Sequence, residues 1–178
     1  DADRPGLLAV IGALREALPP EAMVFSDMTQ IAYAAVEAWP ASAPGLWHHP
    51  SGFGTLGYAL PAAIGAAVGR PEVPVVALAG DYGVQYTIQE LGTAVELGLS
   101  LPLVVWDNER LGEIEASMVA AQIAPRAVHQ RNPDFCALAR AWGAEAETPE
   151  SLDAIAPALE RALAADGPTL IRLTPGLT

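Results

Sequence analysis

The chain has 178 residues, 52% of them apolar and only 17% charged, so it can fill the core of one domain and is not a disordered polymer. Its nine basic residues are all Arg and face 21 Asp and Glu, a formal charge of −12. So acidic a surface repels a phosphate backbone or an anionic bilayer, which excludes nucleic-acid and membrane-surface partners. The absence of Lys removes the P-loop, and no C-x-x-C or H-E-x-x-H spacing offers a zinc site. The single cysteine, Cys136, cannot close an internal disulfide and fits a reducing, cytoplasmic compartment.

In chain order, Pro5 opens a periodic apolar segment from Leu7 to Leu18, closed by Pro19-Pro20, that reads as an amphipathic helix. Residues 22–25 read as a buried strand ending at Ser26-Asp27, and 28–38 as a second helix. Residues 38–69 carry no Asp, Glu, Lys or Arg, yet prolines, two His and several Gly leave no apolar run able to cross about 30 Å of hydrocarbon. This segment reads as loop from Pro40 to Gly57, with a short strand near Leu46-Trp47, then an Ala- and Gly-rich helix over 58–69 starting near Pro61. Val73–Ala79 is a continuous apolar, β-branched run, as a central parallel strand covered on both faces requires. A helix over 84–97 and a strand over 101–106 follow, then helices near 111–122, 134–142 and 151–165 and strands near 144–147 and 169–173. The alternation gives an α/β class: a three-layer, doubly wound parallel sheet forming one domain over 1–178. The first residue is Asp rather than Met, which suggests a piece of a longer protein.

Ligands of such sheets gather outside the carboxyl ends of the strands. The residues leaving those ends are Ser26-Asp27, Gly80-Asp81-Tyr82-Gly83 and Asp107-Asn108. If strands 73–79 and 101–106 are neighbours, Asp81 and Asn108 present a carboxylate and an amide oxygen at one edge. Oxygen donors of this kind suit Mg²⁺, which keeps coordination positions open for phosphate. The plainer alternative is that Asp81 caps a helix and Asn108 sits in an ordinary turn.

Gly80-Asp81, followed after 27 residues by Asn108, resembles the fingerprint of thiamine-diphosphate-dependent enzymes: Gly-Asp-Gly, about two dozen residues, then Asn-Asn. The stretch from Gly52 to Ala66, beginning Gly-Phe-Gly-Thr-Leu-Gly-Tyr, is similar to the segment preceding that fingerprint in the acetolactate synthase family, and Gln89–Val95 to the helix after it. Within that family the 2-oxoacid decarboxylases acting on guanidino-oxopentanoate look nearest. The resemblance implies a thiamine-diphosphate-binding fold in which Asp81, the Asn108 side chain and the Arg110 carbonyl hold Mg²⁺ against two phosphates. It implies diphosphate contacts from Gly80, from the Tyr82 and Gly83 N–H groups, and from Thr29 and Gln30. The backbone of Gly54 and Leu56 would bind the aminopyrimidine, and the Leu56 side chain would wedge under the thiazolium to force the reactive, folded cofactor. The implied chemistry is decarboxylation of a small 2-oxoacid or carboligation, as a lyase or transferase, in a homo- or hetero-oligomer.

Three departures stand out. Tyr82 replaces the second fingerprint Gly, which should weaken cofactor affinity; Asp107 replaces the first Asn, which should change little; and Glu109-Arg110-Leu111 replaces a Gly-rich segment. The glutamate that protonates the pyrimidine in this family lies on a separate pyrimidine-binding domain, and nothing here matches it. No catalytic residue is therefore assigned, and a further domain or subunit is expected. Glu90, Glu96, Glu113 and Glu115 read as solvated helix faces, with Glu113 also placed to pair with a substrate guanidinium. His48, His49 and His129 read as loop residues, Cys136 as inert core, and the Trp and Tyr residues as packing.

Two rivals remain at this point. Gly52–Gly57 also satisfies G-x-G-x-x-G, with Asp81 as a ribose-binding acid of a NAD-type dehydrogenase, although Trp47-His48-His49-Pro50 is a poor strand to lead into it. A cofactor-binding or assembly module that lost catalysis is the other.

Overall fold

The computed structural model describes residues 6–177. Six strands, β1 (Met23–Ser26), β2 (Trp47–His48), β3 (Val75–Gly80), β4 (Pro102–Trp106), β5 (Glu145–Glu147) and β6 (Thr169–Leu173), form one parallel sheet in the order β2-β1-β3-β4-β6-β5. The helices are α1 (Leu7–Ala17), α2 (Gln30–Ala38), α3 (Ala59–Gly69), α4 (Asp81–Val84), α5 (Leu91–Glu96), α6 (Gly112–Ala120), α7 (Phe135–Ala141) and α8 (Ile155–Leu163). No helix among the described residues is long and apolar enough to cross a membrane.

Strand periodicity sorts the core into two halves. Val76 and Leu78 of β3, with Val104 and Trp106 of β4, pack under α1, α2 and α8. Val75, Ala77 and Ala79, with Leu103 and Val105, pack on the opposite face under α3, α5 and α7. All six residues of β3 and all five of β4 are buried, which explains their unbroken apolar runs. The three-layer, doubly wound architecture expected from the alternation is therefore present. The chain leaves β1 through α2 on one face, and returns from β2 to β3 through α3 on the other. The crevice at the carboxyl ends of β1 and β3 is thus the kind of switch point where ligands collect.

Most boundaries fall within two residues of expectation. β3 begins at Val75 because Pro74 has no N–H for the ladder, while its carbonyl accepts from Met23. Pro61 falls in the first turn of α3, where a missing N–H breaks no helical bond. His48 belongs to β2 rather than to a loop, and its ring stacks on Phe25 at 4.3 Å. The expected opening of the first helix at Pro5 lies outside the described residues.

The continuous helix expected over 84–97 is broken into α4, a single 3₁₀ turn at Ile88–Glu90, and α5. Thr87 leaves helical space at φ −139°, and its hydroxyl donates to the Gly57 carbonyl. Docking of the 52–58 loop thus overrides a periodicity that is locally helical.

Candidate functional site

Asp27, at the end of β1, is fully buried, and its carboxylate organises the loop above it. It accepts from the Gly57 N–H (3.1 Å) and the Ala59 N–H (2.8 Å), fixing the glycine loop against the sheet edge. Burial raises its pKa, and these backbone donors with that of Tyr58 pull the other way. Gly57 has φ +80°, and a Cβ there would sit 2.9 Å from the Tyr86 Cβ, so the close approach of this loop requires glycine.

The β3 and β4 tips lie side by side, with Gly80 paired to Trp106 in register. One residue further on, Asp81 and Asp107 bring two carboxylates, each 3% exposed, to adjacent strand ends. Asp81 Oδ1 accepts from the Tyr82 N–H (2.9 Å) and Oδ2 from Asn132 Nδ2 (2.7 Å). The same Nδ2 donates to Asp107 Oδ1 (2.6 Å), and Arg172 Nε donates to Asp107 Oδ2 (2.6 Å). Burial raises the Asp81 pKa; the Asn132 and Tyr82 hydrogen bonds lower it, and the Asp107 charge adds a smaller upward push. Asn108 Nδ2 donates to Gln30 Oε1 (2.8 Å), and its amide oxygen accepts from the Arg110 N–H at 3.4 Å.

One cavity of about 210 Å³ collects the ten residues expected to touch cofactor or metal: Thr29, Gln30, Gly54, Leu56, Gly80, Asp81, Tyr82, Gly83, Asn108 and Arg110. Thr29 closes its floor so tightly that a Cβ on Gly80 would lie 2.7 Å from Thr29 Oγ1. The Tyr82 N–H, expected to face the diphosphate, is directed instead to Asp81 Oδ1. Burial raises the pKa of the Tyr82 phenol, helped by the nearby Asp81 charge.

The donor set fits a hard divalent cation: one carboxylate, one amide oxygen and a nearby main-chain carbonyl, with the burial of Asp81 offset by only neutral donors. Among the described residues no group of three His, Cys, Asp or Glu could hold an ion, so a histidine- or cysteine-rich site is not the alternative.

The structure corrects several side-chain readings. Tyr33, read as packing, and Glu113, read as a solvated face or a substrate-pairing carboxylate, both line the cavity. Glu115 is only 24% exposed in its side chain and meets His129 Nε2 at 2.9 Å. His49 Nδ1 contacts the buried Ser26 hydroxyl at 2.8 Å, and burial lowers the His49 pKa. Tyr86 and Trp142 are exposed rather than packed, whereas Cys136 is buried as expected. Asp107 does more than stand in for an asparagine, because it engages Arg172 and Asn132. Asn132 lies in an aperiodic polar stretch that carries no sequence signal; Arg172, a lone charge inside an apolar strand, is the one sequence clue to this network. The dinucleotide reading fails on position: the strand before Gly52 is the two-residue, half-buried edge strand β2.

The profile of the thiamine pyrophosphate enzyme C-terminal TPP-binding domain matches residues 27–173. The chain is 46% identical over 167 residues to a probable 2-ketoarginine decarboxylase of Pseudomonas aeruginosa, covering 93% of this chain and 30% of that protein. It is 33% identical over 163 residues to the acetolactate synthase isozyme 2 large subunit of Escherichia coli, covering 90% and 30%. The benzoylformate decarboxylase structure from Polynucleobacter necessarius superposes with a TM-score of 0.87 at 28% identity, over 96% of this chain and 33% of that one. The chain thus spans about a third of the length of the proteins it matches. It belongs to the thiamine pyrophosphate enzymes, as a C-terminal thiamine pyrophosphate-binding domain.

Proposed function

We propose that residues 1–178 form the diphosphate- and metal-binding domain of a 2-oxoacid decarboxylase whose active site is completed by a pyrimidine-binding domain or subunit. The observation that carries this reading is the convergence of Asp81 and Asn108, from neighbouring strand tips, on the cleft that Gly54 and Leu56 also line. In this reading Asp81, the Asn108 amide oxygen and the Arg110 carbonyl hold Mg²⁺. Thr29, Gln30, Gly80, Tyr82 and Gly83 border the diphosphate, and the Gly54–Leu56 segment takes the aminopyrimidine. Bound there, thiamine diphosphate supplies a sink for the electron pair released when a 2-oxoacid loses carbon dioxide. The contribution of this chain is placement. Asp27 fixes the loop carrying Gly54 and Leu56, and the Leu56 side chain would brace the bound cofactor.

A guanidino 2-oxoacid is the substrate class we favour, on the likeness to the probable 2-ketoarginine decarboxylase and on the Glu113 carboxylate at the cleft. A carboxylate there can take a guanidinium by paired, charge-assisted hydrogen bonds. The need for a partner is supported by α6, which flanks the cleft with no buried residue, and by the exposed Ile114, Val119 and Phe53. A cytoplasmic location is proposed on the unpaired Cys136 alone.

Calorimetric titration with thiamine diphosphate in Mg²⁺, with NAD as comparison, tests the reading. The wild-type chain is expected to bind the first and not the second, to lose binding on Asp81→Ala, and to release no carbon dioxide by itself. Equal binding by Asp81→Ala, or turnover of a 2-oxoacid by the isolated chain, contradicts it.

A further inference from the structure

Two buried carboxylates on adjacent strand tips repel each other, and a metal-binding carboxylate must also point its free lone pairs at the ion. One residue from a distant loop answers both requirements. Asn132 spends both amide hydrogens on this pair, one on Asp81 Oδ2 and one on Asp107 Oδ1. Its own Oδ1 accepts from Gln130 Nε2 at 2.7 Å, with a longer 3.4 Å contact from Gln85 Nε2. Those donors fix the sense of the amide, because the reverse orientation would set its oxygen against two carboxylates and its NH₂ against two other NH₂ groups. The Asp81 carboxylate is then pinned at both oxygens, by the Tyr82 N–H and by Asn132. Arg172 donates to the other oxygen of Asp107, so Asp107 has a cationic partner of its own while Asp81 borders the cleft.

We propose that Asn132 is a positioning residue for the metal: a clamp that holds Asp81 in ligating orientation and separates it from Asp107. The proposal rests on the reading of Asp81 as a Mg²⁺ ligand. Asn132 itself lines a different cavity with Arg140 and Arg172 and is not among the residues lining the cleft, so its link to the metal site runs through Asp81. Partners that orient a metal ligand typically change metal affinity by about 10–100-fold when removed. The conservative Asn132→Asp exchange keeps the shape but replaces two donated hydrogens by a third carboxylate, so it should be worse than Asn132→Ala.

The test uses the full-length enzyme that carries this domain, with Mn²⁺ as the probe, followed by electron paramagnetic resonance in saturating thiamine diphosphate. Asn132→Ala is expected to raise the half-saturating Mn²⁺ concentration by about tenfold or more. At saturating metal, the KM for substrate should stay at the wild-type value, a split that a general loss of structure would not give. Asp81→Asn is the control for the underlying reading. If Asp81→Asn abolishes metal binding and Asn132→Ala leaves half-saturation unchanged, the clamp is refuted and the metal site stands. If Asp81→Asn also leaves it unchanged, the metal assignment itself falls. Should Asn132→Ala not fold, Gln130→Ala decides, since it removes the anchor and keeps both donated hydrogens. A rise in the half-saturating Mn²⁺ concentration supports the clamp, by the same ligand-orienting logic, and an unchanged value overturns it.

Discussion

Replacing Gly83 by Ala separates local propensity from tertiary placement. Gly83 lies in α4 at an ordinary helical φ, so propensity alone predicts a gain of about 0.4–1 kcal/mol from a stiffer unfolded chain. The structure reverses the sign. A Cβ on Gly83 would overlap Asp27 Oδ2 and lie 3.2 Å from Asp27 Cγ. That carboxylate cannot swing aside freely, because it holds the Gly57 and Ala59 N–H groups. Displacing it weakens two hydrogen bonds, each contributing about 0.5–1.5 kcal/mol, and leaves a buried carboxyl group without its donors, at about 1–3 kcal/mol more. A net loss of about 3 kcal/mol follows, which for a chain of this size lowers Tm by about 6–12 °C. Scanning calorimetry of the chain measures it, with Gly167→Ala as control, since nothing lies within 4 Å of a Cβ at Gly167. Loop release should also weaken thiamine diphosphate binding in the same preparation. A Gly83→Ala Tm equal to or above that of the wild type would refute the reasoning.

The buried Asp27 gives a pH signature. Its folded pKa lies above the unfolded value, so its stabilisation is full below about 3.9 and is lost as pH rises through the folded value. Urea titrations should therefore show the deficit of Asp27→Asn against wild type shrinking as pH rises above about 4, the unfolded carboxyl value; a growing deficit contradicts this. Gln30→Leu frees the Asn108 amide from its 2.8 Å bond and should weaken Mg²⁺-dependent cofactor binding by about tenfold, read by calorimetry, with unchanged Tm. In the full-length enzyme, Glu113→Gln should raise the KM for a guanidino 2-oxoacid by about tenfold or more, while a neutral 2-oxoacid is unaffected. Equal effects on both substrates in steady-state assays would remove Glu113 from substrate recognition.

The sheet was legible because its evidence is local. Val75–Gly80 and Pro102–Trp106 are buried on both faces, and such strands must be apolar throughout. The ten proposed site residues, which line one cavity, were open to sequence reasoning because ligands sit at strand ends and because Gly52–Ala66 resembles a family segment. Asn132 and Thr87 were not legible, since their roles come from partners 51 and 30 residues away that no periodicity encodes. The partners of Asp107 were not legible for the same reason, since they come from a loop and from β6.

The central claim is that a divalent ion sits between the β3 and β4 tips. Crystals of the full-length enzyme grown with thiamine diphosphate and Mn²⁺, with anomalous diffraction collected at the manganese edge, test it most directly. The account predicts one strong peak at about 2.0–2.3 Å from an Asp81 carboxylate oxygen, the Asn108 amide oxygen and the Arg110 carbonyl. A peak elsewhere in the domain, or a cofactor bound with neither Asp81 nor Asn108 touching the metal, would contradict it.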